Sequence, residues 1–137
     1  MNIKVLNKEL IYEIHEFSIQ KYGGRSGNKV DTDSKIESIL AQQYPCFGYD
    51  KYGTIFEKAV MLAYFFSKDH CFEDGNKRVG MFCLYIFLEI NGYELKFSTK
   101  RAENFIINIT TSKYRGEEID NYIYKLSKVV ELYSEPI

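Results

Sequence analysis

The segment 69–80, which reads DHCFEDGNKRVG, holds the side chains best suited to chemistry. It separates two strongly apolar segments, 59–66 and 81–90. His70 is a histidine, the side-chain type that most readily accepts a proton from an attacking hydroxyl near neutral pH. Asp74 supplies hard carboxylate oxygens, which suit Mg²⁺ when phosphate oxygens complete its coordination. These residue types and their spacing favour phosphate-transfer chemistry.

A predicted helix start within the same segment adds a candidate anion site. Asp74, Gly75 and Asn76 come directly before a strong helical pattern. The first turn of a helix presents unpaired N–H groups at the positive end of the helix dipole. Gly75 would let the backbone approach a ligand closely, and Lys77 and Arg78 add cationic donors. Phosphate is the natural occupant of such a helix start.

Purely structural roles for these residues stay open on the sequence alone. Asp74 and Asn76 are residue types that cap helices, and His70 could be a hydrogen-bonded loop residue. Lys77 and Arg78 could form a solvated turn. The glycine-rich nucleotide motifs G-x-x-x-x-G-K-[ST] and G-x-G-x-x-G are both absent.

Helices must position the segment, because the apolar spacing along the chain is mostly helical. The first helix ends at the glycine pair 23–24, and later helices cover about 55–68, 76–91 and 117–133, with shorter ones after 34 and after 98. The helices at 55–68 and 76–91 are the most apolar and should be central. Phe72 should plug into the core and pin the loop between them. The sequence thus predicts an all-α domain of about six helices around two buried central ones.

Two pairs of residues have the spacing of a capping box, Ser34 with Glu37 and Thr54 with Glu57. Residues 44–53 carry turn formers and aromatics without helical period, and they predict an ordered loop or a small hairpin. Residues 93–97 alternate and predict a short extended piece. His15, mid-helix beside apolar residues, is expected to be a partly buried structural histidine.

The composition limits the class of protein. The length of 137 residues fits one domain spanning 1–137. A net charge of −1 without a basic stripe argues against direct DNA binding. Cys46, Cys71 and Cys83 show no C-x-x-C spacing, which predicts reduced thiols in a cytoplasmic protein and no zinc site. No signal-peptide profile or membrane-spanning run is found.

The segment from His70 to Arg78 matches the pattern H-x-F-x-[DN]-[AG]-N-K-R, and so the chain resembles the Doc (death-on-curing) branch of the Fic/Doc family. Segments 22–24, 35–40, 56–66 and 87–95 also resemble Doc-type sequence, in the same order. The resemblance implies an all-α Fic core in which the motif loop joins two central helices.

The resemblance also implies a role for each motif residue. His70 resembles the general base, and Asp74 the Mg²⁺ ligand. Gly75, Asn76 and the backbone after them resemble the anion hole, while Arg78 resembles the phosphate-binding arginine. Lys68 lies where the family often has a basic residue, and a supporting phosphate role is expected for it.

Lys77 occupies the position that separates the branches of the family. Nucleotide-transferring members have Gly there, and a second Arg where this chain has Met81. In the Doc branch, Lys at this position goes with ATP bound so that its γ-phosphate faces the acceptor. The resemblance therefore implies a toxin kinase that uses ATP and Mg²⁺, targets a threonine of elongation factor Tu and is restrained by a cognate antitoxin supplying an inhibitory segment. A nucleotidyl transferase and a non-catalytic antitoxin-binding module remain the alternatives.

Three further features have two interpretations each. Residues 44–53, with Tyr49, Lys51 and Tyr52, could be the flap that clamps a target by strand addition, or a packed loop. Segment 99–104 fits the family's inhibitory pattern [ST]-x-x-x-E-[GN], in which Glu103 would pair with the motif arginine; an ordinary helix start is favoured. Cys71, beside His70, could be a nucleophile, although the family tolerates many residues there.

Overall fold

The computed structural model describes residues 2–137 and contains six helices and two short strands. The helices are α1 (Lys8–Tyr22), α2 (Thr32–Ala41), α3 (Ile55–Lys68), α4 (Asn76–Ile90), α5 (Thr99–Thr111) and α6 (Glu117–Leu132). The strands, β1 (Tyr93–Leu95) and β2 (Ser134–Pro136), pair in antiparallel orientation. The predicted all-α class with about six helices is therefore confirmed.

Helices α3 and α4 form the centre of the fold. They pack against each other, and α3 also contacts α2, α5 and α6 while α1 covers α4. The middle of α3 is buried on every side, as its nearly continuous apolar sequence predicts. None of the helices within residues 2–137 has both the length and the apolarity needed to cross a membrane.

A glycine lets the two central helices approach closely. Gly80 lies in the second turn of α4 against the last turns of α3. A Cβ atom at Gly80 would lie 2.1 Å from the hydroxyl oxygen of Ser67 and 2.8 Å from the carbonyl oxygen of Ala63. These distances are shorter than van der Waals contact, so the close packing of α3 on α4 requires glycine at this position.

Only one of the two predicted capping boxes caps a helix. Thr54 accepts a hydrogen bond from the backbone N–H of Glu57 at 3.0 Å and begins α3, as expected. The prediction for Ser34 was wrong, because α2 begins two residues earlier, at Thr32. The Thr32 hydroxyl donates to the carbonyl of Cys71, so the first residue of α2 contacts the motif loop.

The extended segments form two separate features. Residues 93–95 are β1, so the predicted extended piece is confirmed. Residues 44–53 contain a tight hairpin, in which Cys46 and Tyr49 exchange both backbone hydrogen bonds. Its two turn residues, Phe47 and Gly48, both have positive φ, which matches the twist of a two-residue hairpin.

Replacing Gly80 by Ala should destabilise the protein, although Ala is the better helix former by about 1 kcal/mol. The added Cβ forces α3 and α4 apart, and we expect a net loss of about 1–3 kcal/mol in the free energy of unfolding. Chemical denaturation measures the loss. Adding Ser67→Ala should restore only part of it, because the contact with the Ala63 carbonyl remains. Unchanged or increased stability of Gly80→Ala would contradict the close packing.

Candidate active site

The motif loop, residues 69–75, joins the end of α3 to the start of α4. His70 is exposed and has φ of 51°, a left-handed conformation that is costly for a residue with a Cβ. Gly75 has φ of 81° and turns the chain directly into α4. The loop therefore presents the His70 ring outward while its backbone stays against the core.

Helix α1 holds this loop from beneath. The Phe72 ring is fully buried, as expected, and stacks on the His15 ring with centroids 3.7 Å apart and planes 4° apart. The Nε2 atom of His15 lies 2.9 Å from the backbone carbonyl oxygen of Asp74. Because a carbonyl can only accept, Nε2 must carry the proton. His15 has a structural role, as predicted. Its contacts with Phe72 and Asp74 support the motif loop.

The Asn76 side chain is used inside the loop. Its Oδ1 accepts from the N–H of Phe72 and its Nδ2 donates to the carbonyl of the same residue, both at 3.0 Å. The amide therefore closes the loop around Phe72. The second Nδ2 hydrogen and the backbone N–H of Asn76 remain as donors for an anion.

The Asp74 carboxylate is fixed by backbone N–H groups on both sides. Its Oδ1 accepts from Gly75 at 2.8 Å, and its Oδ2 accepts from Arg25 at 3.1 Å. These hydrogen bonds, Arg25 first, lower the pKa of Asp74, and the nearby Arg25 and Arg78 charges act in the same direction. Gly24 has φ of 117°, and a Cβ there would lie 2.8 Å from Oδ2. Glycine is therefore required where this loop approaches the carboxylate.

A single carboxylate of this kind fits Mg²⁺, which takes one or two protein carboxylates together with phosphate oxygens and water. Within the described chain no group of three or more His, Cys, Asp or Glu side chains could hold a metal by itself. A Mg²⁺ ion at Asp74 would therefore depend on the phosphates of a bound nucleotide.

The start of α4 has free backbone donors. Gly75, the N-cap residue, contributes no side-chain cap. The N–H of Gly75 is already bonded to Asp74, so the donors that face a ligand are those of the first helical turn, residues 76–78. Of the groups expected to form the anion hole, the Gly75 N–H is thus used within the loop, and the backbone N–H groups after it are available to a ligand.

Arg78 is latched to the end of α1. Its Nη1 donates to the carbonyls of Ser18 and Gly23, both at 2.9 Å, and its guanidinium lies 5.8 Å from the Tyr22 ring. A cation is favourable among the carbonyls at a helix C-terminus. The latch fixes the guanidinium at the edge of the site, whereas the neighbouring Lys77 is exposed.

Two cavities meet at these cations. A polar cavity of about 490 Å³ is lined by the side chains and backbone from Glu73 to Arg78, with His70 and Ser67 at its edge. An apolar cavity of about 650 Å³ is lined by aromatic and aliphatic side chains that include Phe82 and Tyr85. Lys77 and Arg78 border both cavities. The site can therefore receive a ligand with an anionic end and an apolar, planar end.

Lys68 does not offer a free ammonium group to this site. Its Nζ donates to the carbonyls of Ile109 at 3.2 Å and Ser112 at 2.6 Å, and lies 3.3 Å from the Ser112 hydroxyl. These groups form the C-terminus of α5. The expected phosphate role is not supported, because the ammonium group is bonded to this helix end.

Cys71 is buried, and burial raises the pKa of its thiol to about 12. A thiol in that environment stays protonated at neutral pH and is a poor nucleophile. The nucleophile interpretation of Cys71 is therefore wrong. Burial likewise raises the pKa of Cys83, while Cys46 lies exposed in the hairpin.

Glu103, the acidic residue of the inhibitory pattern, lies on α5 at the edge of the apolar cavity. No ion pair joins it to Arg78 among the described residues.

The aromatic residues of the hairpin differ in exposure. Tyr49 is exposed, whereas Tyr52 is buried and donates to Asp120 at 2.8 Å. Tyr52 was therefore wrong as a target-contacting residue.

The base of the hairpin is fixed by charge. The buried Lys58 ammonium lies 2.6 Å from the Asp50 carboxylate, and Lys51 lies 3.3 Å from Asp120. These contacts tie the hairpin to α3 and α6 and leave its tip projecting. Lys51 is thereby engaged in an ion pair.

Comparison with known proteins gives the class of this protein. The Fic/DOC family model matches residues 5–88, more than half of the chain, and the chain belongs to that family. A protein named Toxin Doc from Mycolicibacterium smegmatis is 32% identical over 76 residues, which is 54% of this chain and 58% of that protein. Protein kinase doc from Escherichia phage P1 is 24% identical over 98 residues, covering 72% of this chain and 76% of that protein.

Cysteine labelling should separate the three thiols. In the native protein only Cys46 should react rapidly with a thiol reagent at pH 8, because Cys71 and Cys83 are buried and protonated. Mass spectrometry of the intact protein should show a single label, and all three sites should be labelled after denaturation. Rapid native labelling of Cys71, or its protection by ATP, would contradict its assignment to the core.

The two histidines should behave oppositely when replaced. His15→Ala removes the stack on Phe72 and the bond to Asp74, and we expect a loss of about 2 kcal/mol or more in the free energy of unfolding. His70→Ala is the matched control, because the exposed His70 ring makes no hydrogen bond within residues 2–137. It should leave stability within about 0.5 kcal/mol. Equal effects of the two replacements would contradict the clamp.

Proposed function

We propose that this protein is a Doc-type toxin that transfers the γ-phosphate of ATP to a hydroxyl group of a protein. One arrangement carries the proposal: His70, the free N–H groups at the start of α4 and the Asp74 carboxylate border one polar cavity. Membership of the Fic/Doc family supports it, and so do the names of the two relatives, Toxin Doc and Protein kinase doc.

The proposed phosphate transfer uses four groups of the site, each with its own role. His70 takes the proton of the acceptor hydroxyl, the hydroxyl oxygen bonds to the γ-phosphorus, and the bond from that phosphorus to the ADP oxygen breaks. Backbone N–H groups 76–78 and the Arg78 guanidinium stabilise the phosphate oxygens. Asp74 would hold Mg²⁺, which neutralises phosphate charge when bound.

The two cavities suggest the direction in which ATP binds. The adenine ring fits the apolar cavity beside Phe82 and Tyr85, and the phosphates then run past Lys77 and Arg78 into the polar cavity. In that direction the terminal phosphate comes nearest to His70. The exposed Lys77 ammonium, between the cavities, supports this orientation over the reverse one used for nucleotidyl transfer.

The partners follow from the same proposal. A threonine of elongation factor Tu is the proposed acceptor, so that modification would inhibit translation. We propose that the projecting hairpin tip contacts that target by strand addition, a role supported by the exposure of Phe47 and Tyr49. Because Glu103 forms no ion pair with Arg78 in the described chain, we propose that a separate antitoxin supplies the inhibitory segment.

Incubation of the protein with Mg²⁺, ATP and elongation factor Tu should add a phosphate-sized mass to the factor. His70→Ala should reduce the rate by at least about 100-fold, the size of a general-base contribution, while folding is retained. Intact-mass and peptide mass spectrometry make the measurement.

Other outcomes of this experiment identify the alternatives. A nucleotide-sized mass gain would show a nucleotidyl transferase. An unmodified factor, together with toxicity in cells that His70→Ala leaves unchanged, would show a non-catalytic binding module. Glu103→Gly serves as a control, and it should not raise the rate if the inhibitory segment comes from a separate protein.

A further inference from the structure

A groove separates α5 from α6. Both helices pack on α3 and make little contact with each other. Two cavities, of about 340 Å³ and 750 Å³, lie along this α5–α6 groove, and Asn108 and Leu126 line both of them. No residue that lines these two cavities also lines the polar or the apolar cavity of the candidate active site. The groove is therefore a separate surface of the molecule.

The wall that α6 contributes to the groove is apolar. Tyr122, Leu126 and Val129 line it, and their spacing of four and three residues places them on one face of the helix. The face of α6 that packs into the core is a different one, which carries Ile123 and Val130. Val129 is 37% exposed. The α6 wall is thus a second apolar stripe that the folded chain leaves partly uncovered.

The wall that α5 contributes is polar. Arg101, Asn104 and Asn108 line it at spacings of three and four residues, again on one helix face. Amide and guanidinium groups donate hydrogen bonds to carboxylate oxygens. The groove therefore has one apolar wall and one wall of donors, and it suits a ligand that is itself amphipathic.

Positive charge lies at both ends of the groove. Lys100 and Arg101 line the first cavity and Lys113 lines the second. The Arg101 guanidinium lies 4.2 Å from the centroid of the Tyr133 ring, which orders it there. Within residues 2–137 none of these three cations forms an ion pair, and Glu118 is the one carboxylate that lines either cavity. This local excess of positive charge favours an acidic ligand.

We propose that the α5–α6 groove is a docking surface for an acidic amphipathic helix of a partner protein. The apolar face of that helix would pack on the stripe of α6, and its carboxylates would pair with the cations of α5 and of the segment after it. The 13 residues of α5 extend over about 20 Å, so a partner helix of similar length fills the groove. This inference is independent of phosphate transfer.

RNA is the competing occupant, because lysine, arginine and tyrosine side chains also bind single strands. Leu126 and Val129 argue against it, since an aliphatic wall offers neither a phosphate contact nor a stacking platform. Three cations are also few for nucleic-acid binding, which depends on many phosphate contacts. An amphipathic helix uses both walls of the groove, whereas RNA would use only one.

Binding of three labelled probes to the full chain tests the proposal by fluorescence anisotropy. The first probe is a peptide as long as α5, with Leu on one helical face and Glu on the other. The second has Lys in place of every Glu, and the third is a single-stranded RNA of matched length. The Glu peptide should bind at least about tenfold more tightly than either of the others. Its binding should shift the NMR signals of Leu126 and Val129.

Charge reversal locates the binding surface. Lys100→Glu combined with Lys113→Glu should weaken binding of the Glu peptide by about tenfold or more. Lys4→Glu combined with Lys29→Glu is the matched control, because it changes the net charge equally at two exposed residues that do not line the groove. This control should bind the peptide as the wild type does.

Three results would overturn the proposal. They are a wild-type protein that does not bind the Glu peptide, equal weakening by the two charge-reversed variants, and RNA binding that is as tight as that of the Glu peptide. None of them bears on phosphate transfer, because the substituted residues lie outside the active-site cavities.

Discussion

The stack between His15 and Phe72 is the contact on which the geometry of the motif loop depends. It places a loop side chain against α1 and aligns the His15 Nε2–H with the carbonyl of Asp74. With that peptide fixed, Gly75 turns the chain into α4 and the first-turn N–H groups face the cavity. The same anchoring holds His70 in its left-handed conformation, which by itself is unfavourable by about 1–2 kcal/mol.

The parts of the fold that are predictable from sequence are those set by local pattern. The apolar faces of α3 and α4 identify the two central helices, and the Thr54 cap marks where α3 begins. The turn at Gly75 and the burial of Phe72 follow from residue types within a few positions. His70 and Asp74 could be singled out because their chemistry is unusual between apolar segments, and no packing information is needed for that.

Residues whose partners lie far along the chain could not be placed in this way. Thr32, the first residue of α2, bonds to the Cys71 carbonyl, and the Lys68 ammonium bonds to the end of α5. The closure of the Asn76 amide on the backbone of Phe72 likewise depends on the folded loop. Ser67 gave no signal at all, since a serine between apolar residues and a lysine is ordinary until its oxygen is seen packed against Gly80.

The most direct test of the account is a crystal structure with Mg²⁺ and a non-hydrolysable ATP analogue. The terminal phosphate should lie at the N–H groups of residues 76–78, nearest to His70, and Asp74 should be the protein ligand of the metal. It also predicts the adenine ring beside Phe82. An α-phosphate nearest to His70, with the terminal phosphate directed away from it, would contradict phosphate transfer and show a site arranged for nucleotidyl transfer.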